Sequence, residues 1–190
     1  MKELKNLISN KHKIVITTHV NPDGDAIGSS LALYNYLINM GHEVNVIVPN
    51  DFPDFLKWMH NVDEILNFSN SKEESADLIS EASIIFCLDF NTLVRTASLE
   101  QDIRANKDAL LINLDHHQEP DDFADYQWSD TKASSTAEIV YQFTEKLLGK
   151  VFENKAFAQA IYTGILTDTG SFRFSSTSSK THQIAATLLD

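Results

Sequence analysis

Cysteine is nearly missing from this sequence: Cys87 stands alone among 190 residues. No internal disulfide can staple the chain. Cys87 lies in the apolar run Ile84-Ile85-Phe86-Cys87-Leu88, where a buried, inert thiol is expected. Basic residues are also scarce, 15 Lys and Arg against 27 Asp and Glu, for a net charge of -12. Nonspecific binding to long DNA or RNA relies on many cationic contacts to phosphate, so no long nucleic acid is expected as a partner. A small phosphorylated ligand stays compatible if bound cations reverse the field in one cleft. Long apolar runs are lacking too. Lys2 and Lys5 are followed by Asn6, Ser9, Asn10, Lys11, His12 and Lys13, which leaves no signal-peptide core, and no stretch is long enough to span a membrane. A reducing, cytoplasmic setting is the default expectation.

What the chain does have is 43% apolar residues, enough to fill the core of one ordinary domain. Four short runs, at 14–17, 44–48, 84–88 and 110–114, are mostly β-branched or aliphatic and predict strands buried on both faces. Between the first two, Ile27, Leu31, Tyr34 and Ile38 recur at helical spacing over 26–40, and Gly41 follows as a stop, giving a β-α-β unit. Residues 75–82 predict a second helix, with an acidic start suited to a helix N-terminus. The stretch 118–132 is polar and acidic and reads as a loop. After it, 134–148 and 154–167 read as helices parted by Gly149, and a last helix runs from Ser179 or Lys180 to the end. The alternation predicts an α/β fold, a parallel-stranded sheet with helices on both faces. The chain stops at Leu188-Leu189-Asp190 without a polar tail, Gly or Pro, which leads us to expect a domain cut from a longer protein.

The chemistry-bearing residues gather at strand ends. His19-Val20-Asn21-Pro22-Asp23-Gly24-Asp25 falls between the first strand and the first helix, at the strand's carboxyl end, where open α/β sheets place ligands. Pro22 and Gly24 impose a tight turn that lets His19, Asp23 and Asp25 converge, and an imidazole with carboxylates is a metal-ligand set by type. Taken singly, Asp25 reads as a helix N-cap and Asp23 as a turn residue. Recurrence changes the balance, because Asp89 and Asp115 directly follow the third and fourth predicted strands, as a site built across the top of a parallel sheet requires. Adjacent His116 and His117 point in different directions, so at most one should bind a given metal, the other facing substrate; an exposed loop pair is the plainer alternative. Asp168 continues the helix face of Phe157, Ile161 and Ile165. An inward carboxylate at the negative end of a helix dipole is disfavoured twice unless a cation offsets it. A salt bridge to Arg173 or a frayed helix end explains position 168 equally well.

Together His19, Asp23, Asp25, Asp89, His116 and Asp168 offer two nitrogen donors and four carboxylates. Without thiolate this is not a structural zinc site, and the imidazoles make Mn²⁺, Fe²⁺ or Co²⁺ more natural than Mg²⁺. Six ligands exceed what one catalytic metal can use with a position left open. Two metals about 3.5–4 Å apart, sharing a carboxylate, use them all.

These motifs, in this order, resemble the DHH family of phosphoesterases, whose name is the triplet Asp115-His116-His117. The match spans nearly the whole chain. The resemblance implies that His19 and Asp23 bind one metal and Asp25 and His116 the other, with Asp89 bridging and Asp168 completing the set. Manganese is the implied metal, with Mg²⁺ or Co²⁺ as alternates. Within the family, Arg95, the stretch Ser134-Ser135-Thr136-Ala137-Glu138 and Thr169-Gly170-Ser171-Phe172-Arg173 look most like the bifunctional oligoribonuclease and 3'-phosphoadenosine 5'-phosphate (pAp) phosphatase branch. Members of that branch carry a smaller C-terminal substrate-binding domain, which would lie beyond residue 190.

The implied chemistry is in-line attack on phosphorus by a water held between the metals, its pKa lowered toward roughly 7. His117 is the candidate phosphate contact or proton donor, Arg95 the clamp on a nonbridging oxygen, and Asp115 the residue that orients a ligand histidine. The expected substrates are short oligoribonucleotides or a phosphorylated nucleotide. Inorganic pyrophosphate, a cyclic dinucleotide, or a binding module without turnover are the alternatives. A homodimer is compatible with the sequence. Outside the motifs, His12, His42, His60 and His182 read as surface residues and Trp58 as core, while Trp128 reads as core or as a ligand or interdomain contact.

Overall fold

The four expected strands form the centre of a six-stranded sheet in a computed structural model that describes residues 2–189. In chain order the elements are α1 (Lys2–Ile8), β1 (Lys13–Thr17), α2 (Gly24–Asn39), β2 (Glu43–Val48), β3 (Ile65–Asn67), α3 (Lys72–Glu81), β4 (Ile84–Leu88), α4 (Leu99–Ala105), β5 (Leu110–Asp115), β6 (Tyr126–Ser129), α5 (Thr136–Leu148), α6 (Lys155–Asp168) and α7 (Ser179–Leu189). All strand pairs are parallel, in the order β3-β2-β1-β4-β5-β6. The expected α/β architecture is therefore the observed one. The last helix is seen to Leu189; Asp190 lies outside the described residues.

Strand alternation sorts the core into two layers. Ile14, Ile16, Phe86 and Ile112 face one side and pack with Leu31 of α2, Phe143 of α5 and Ile161 of α6. Val15, Ile47, Ile85 and Cys87 face the other and pack with Ile79 of α3 and Ile103 of α4. Helices thus cover both faces. Burial pushes the Cys87 thiol well up, which keeps it protonated and inert.

The sequence reading missed the sheet edges. β3 is only three residues long, and β6 lies inside the stretch expected to be loop, because Tyr126-Gln127-Trp128-Ser129 has no apolar run to mark it. α1 and α4, seven residues each, are too short to leave a helical period. Trp58 is not core. It is 59% exposed, since Leu56 and Met59 fill the buried positions of that turn. Trp128 is half-buried on β6, edge-on to Phe143, with the Lys146 ammonium 4.0 Å from its ring centroid. His42 is not at the surface either: it is 8% exposed, and its Nδ1 accepts from the backbone N–H of His12 at 3.2 Å.

Two features position the site. The chain runs outward from β1 to β2 and β3, then returns to β4 on the other side of β1, so a crevice opens at the carboxyl ends of β1 and β4. Beside it, α2 and α6 meet backbone to backbone. A Cβ on Gly28 would lie 2.6 Å from the Ala160 carbonyl oxygen, and one on Gly164 would lie 2.9 Å from Asp25 Oδ1. Only glycine permits that approach. Among the described residues no helix is long and apolar enough to cross a membrane.

Candidate metal centre

The turn after β1 is built by Asn21, at φ +55°, whose N–H donates to Asn50 Oδ1 at 2.7 Å. Asp23, not Asp25, then caps α2: its Oδ1 accepts from the N–H groups of Asp25 and Ala26, both at 3.0 Å. That leaves Asp25, in the first turn, to send a buried carboxylate across to α5. His19 donates from Nδ1 to the Val20 carbonyl at 2.8 Å, which fixes the tautomer and turns Nε2 toward Asp89.

Asp89 directly follows β4 at φ +66°, a left-handed conformation that aspartate tolerates better than most residues and that re-aims its side chain into the crevice. Its two oxygens face opposite ways. Oδ2 lies 3.4 Å from His19 Nε2, and Oδ1 lies 3.6 Å from His116 Nε2. His116 Nε2 is in turn 3.5 Å from Asp168 Oδ2 and 3.9 Å from Asp25 Oδ2. Three sets therefore have ligand atoms within 4.8 Å of one another: His19 with Asp23 and Asp89, Asp25 with His116 and Asp168, and Asp89 with His116 and His117. All six residues singled out as ligands converge. Arg173 does not pair with Asp168; its Nε donates to the Gly170 carbonyl at 2.7 Å.

The N-terminus of α5 closes the cluster from below, which individual residues of the sequence did not announce. The N–H of Thr136 donates to Asp25 Oδ2 at 2.6 Å and that of Ala137 to Asp25 Oδ1 at 2.8 Å, while the Thr136 hydroxyl donates to Asp89 Oδ1 at 2.9 Å. The available signal was Ser135-Thr136-Ala137-Glu138, a capping-box pattern that places free amides at a helix start. Ser135 Oγ accepts from the Glu138 N–H at 3.1 Å, and the buried Glu138 carboxylate turns back to Ser134 and across to Thr181 of α7.

Carboxylate charge is concentrated here, and burial outweighs the partial offset from His116 and His117. Burial, then the charges of Asp89 and Asp168, push Asp25 well above the usual carboxylate range. Burial, then Asp23, does the same to Asp89, and burial raises Asp168. Burial also lowers His116, favouring the neutral imidazole that binds metals. Carboxylates crowded this closely are stabilised by divalent cations, and a mixed imidazole and carboxylate donor set fits them.

His117 stands apart from that pattern. Its Nδ1 donates to Asp115 Oδ1 at 2.7 Å, and this hydrogen bond raises its pKa. Asp115 therefore orients His117, the histidine expected to meet phosphate, rather than His116. The other Asp115 oxygen is buried without a partner among the described residues. Arg95, partly buried in a turn after Asp89, sets a positive charge near His117, and its carbonyl accepts from the Val20 N–H at 2.8 Å.

Residues 13–165 match the family model described as DHH family, N-terminal domain. The bifunctional oligoribonuclease and PAP phosphatase NrnA of Thermus thermophilus is 34% identical over 179 residues, covering 93% of this chain and 49% of that protein. The protein of the same name from Bacillus subtilis is 33% identical over 191 residues, covering 98% of this chain and 56% of its own length. The chain thus spans about half the length of these curated relatives. An exopolyphosphatase-related protein from Bacteroides fragilis, known as a crystal structure, superposes with a TM-score of 0.94 at 41% identity, covering 99% of this chain and 55% of that one.

Proposed function

The chain belongs to the DHH family, and on that premise we propose that it is a manganese-dependent phosphoesterase acting on short oligoribonucleotides or pAp. The observation that carries this reading is the split aim of Asp89, one oxygen toward His19 and the other toward His116. Two cations would be held by His19, Asp23 and Asp89 on one side and by Asp25, His116, Asp168 and Asp89 on the other. The imidazole donors favour manganese over magnesium. Bound there, the cations would supply Lewis-acid charge to phosphoryl oxygens and a lowered pKa for water.

The chain's own residues do the rest. Asp89 sets the spacing, held by the Thr136 hydroxyl. His117, fixed at Nδ1 by Asp115, has Nε2 free to touch a phosphate oxygen or to give a proton to the leaving oxygen, and its raised pKa suits a donor. Arg95, whose charge is felt at His117, would clamp a nonbridging oxygen. The named activities of the two NrnA relatives support the substrate class, and the net charge of -12 disfavours long chains. A smaller C-terminal substrate-binding domain, in keeping with relatives about twice as long, would complete the contacts. The lone buried cysteine is in keeping with a cytoplasmic setting.

The test is turnover with added Mn²⁺ of pApA, pAp, cyclic di-AMP and pyrophosphate. Release of AMP from pApA or of phosphate from pAp is expected. Turnover of pyrophosphate alone would assign a pyrophosphatase, and turnover of none by a version that carries two Mn²⁺ and the C-terminal substrate-binding domain would leave a binding module.

A further inference from the structure

Just past Asp168 the backbone adopts a conformation that the metal cluster does not require. Gly170, Ser171 and Phe172 take consecutive φ values of +55°, +60° and +63°. A bulky residue is rarely found there, and strain of this kind gathers at functional sites. The fold enforces it: the Ser171 N–H donates to Leu166 at 2.8 Å, the Phe172 N–H to Thr169 Oγ1 at 3.0 Å, and the Arg173 N–H to Thr169 at 3.0 Å. Phe172 turns inward as the anchor, stacked on His182 at 5.3 Å and edge-on to Tyr162.

The consequence falls on the next two residues. Phe174 is 57% exposed, and its ring rests on Gly170, where an added Cβ would come within 2.5 Å of Cζ. One face of the ring is backed by glycine, and more than half of the residue is open to solvent. Arg173 is held by its Nε on the Gly170 carbonyl and has no ion-pair partner among the described residues, on a chain with net charge -12. A guanidinium without an ion-pair partner among the described residues and a backed aromatic ring, five and six positions after the candidate ligand Asp168, match the two halves of a nucleotide.

We infer that Arg173 and Phe174 form a nucleotide subsite beside Asp168, with Arg173 taking a phosphate and Phe174 stacking the base. Guanidinium binds phosphate through its fork of donors, and stacking on an aromatic ring tolerates any base. The inference rests on the phosphoesterase reading above and adds to it which residues hold the substrate. Expected consequences concern the preference for a base, measured apart from catalysis.

The experiment is equilibrium binding of AMP and of ribose 5-phosphate, which lacks the base, to the Mn²⁺-loaded chain. AMP should bind more tightly than ribose 5-phosphate. Phe174→Leu should weaken AMP about tenfold and largely erase that preference, whereas Phe174→Trp should keep it and show indole quenching by AMP. Arg173→Gln should weaken both ligands by a similar factor. A wild-type chain without preference for AMP, or a Phe174→Leu variant that keeps it, overturns the subsite. Absence of pApA and pAp turnover by a version carrying the C-terminal substrate-binding domain, with the Phe174-dependent preference intact, would overturn the proposed activity and uphold the subsite.

Discussion

The Thr136 hydroxyl donates to Asp89 Oδ1 at 2.9 Å, tying the first residue of α5 to a carboxylate 47 positions earlier. The same residue's amide holds Asp25 at 2.6 Å, so one helix start fixes both buried carboxylates of the cluster. Thr136→Val should lower Mn²⁺ affinity about 10- to 100-fold, the range for residues that hold metal ligands in place. Thr136→Ser should recover most of it. Isothermal titration with Mn²⁺ reads both, and equal affinities in wild type and the valine variant would remove this role.

Asp89→Ala should abolish loading of both metals, because one carboxylate faces both halves of the cluster. Metal analysis after gel filtration gives the stoichiometry. Two Mn²⁺ retained per chain would show that Asp89 is not shared.

Without metal, stability should fall as pH rises. Asp25 and Asp89 are pushed well above the usual carboxylate range by burial and neighbouring acids, and Asp168 is raised by burial. The folded chain therefore keeps protons that the unfolded chain releases near about pH 4, and the stability this confers below that pH is lost as pH climbs through the folded values. The melting temperature of chelator-treated protein should decline as pH rises above about 4, and added Mn²⁺ should raise it more toward the upper end of the range. A flat metal-free profile over that window would contradict the charge crowding.

Gly164→Ala should cost about 1–3 kcal/mol, as overpacking does, because its Cβ would stand 2.5 Å from Ala137 Cβ and 2.9 Å from Asp25 Oδ1. Since it pushes on Asp25, it should weaken Mn²⁺ binding as well. Urea unfolding and metal titration check the two effects separately.

Asp115→Asn should lower the pKa of His117, whose upward shift comes first from the hydrogen bond to Asp115. Histidine NMR titration of the metal-free protein measures it directly. An unchanged value would mean that another group controls His117.

By itself the sequence determined the central strands, the main helices and the set of residues that converge. Those features are written locally: apolar runs, helical spacing at Phe157, Ile161 and Ile165, and acids placed directly after strands. In a parallel sheet, residues at strand ends must share one rim, so His19, Asp89 and His116 were legible as neighbours before any coordinates.

Tertiary structure decided what local pattern could not encode. Which aspartate caps α2 depends on Asp25 finding the amides of α5, more than a hundred residues away. Asp115 chose His117 over His116 because the chain leaving β5 turns Nδ1 of the former onto it. Trp58 stays outside because Leu56 and Met59 occupy the core, and β6 forms because β5 offers it an edge. Each outcome is a competition between distant partners for one position, and its physical reason lies in packing rather than in periodicity.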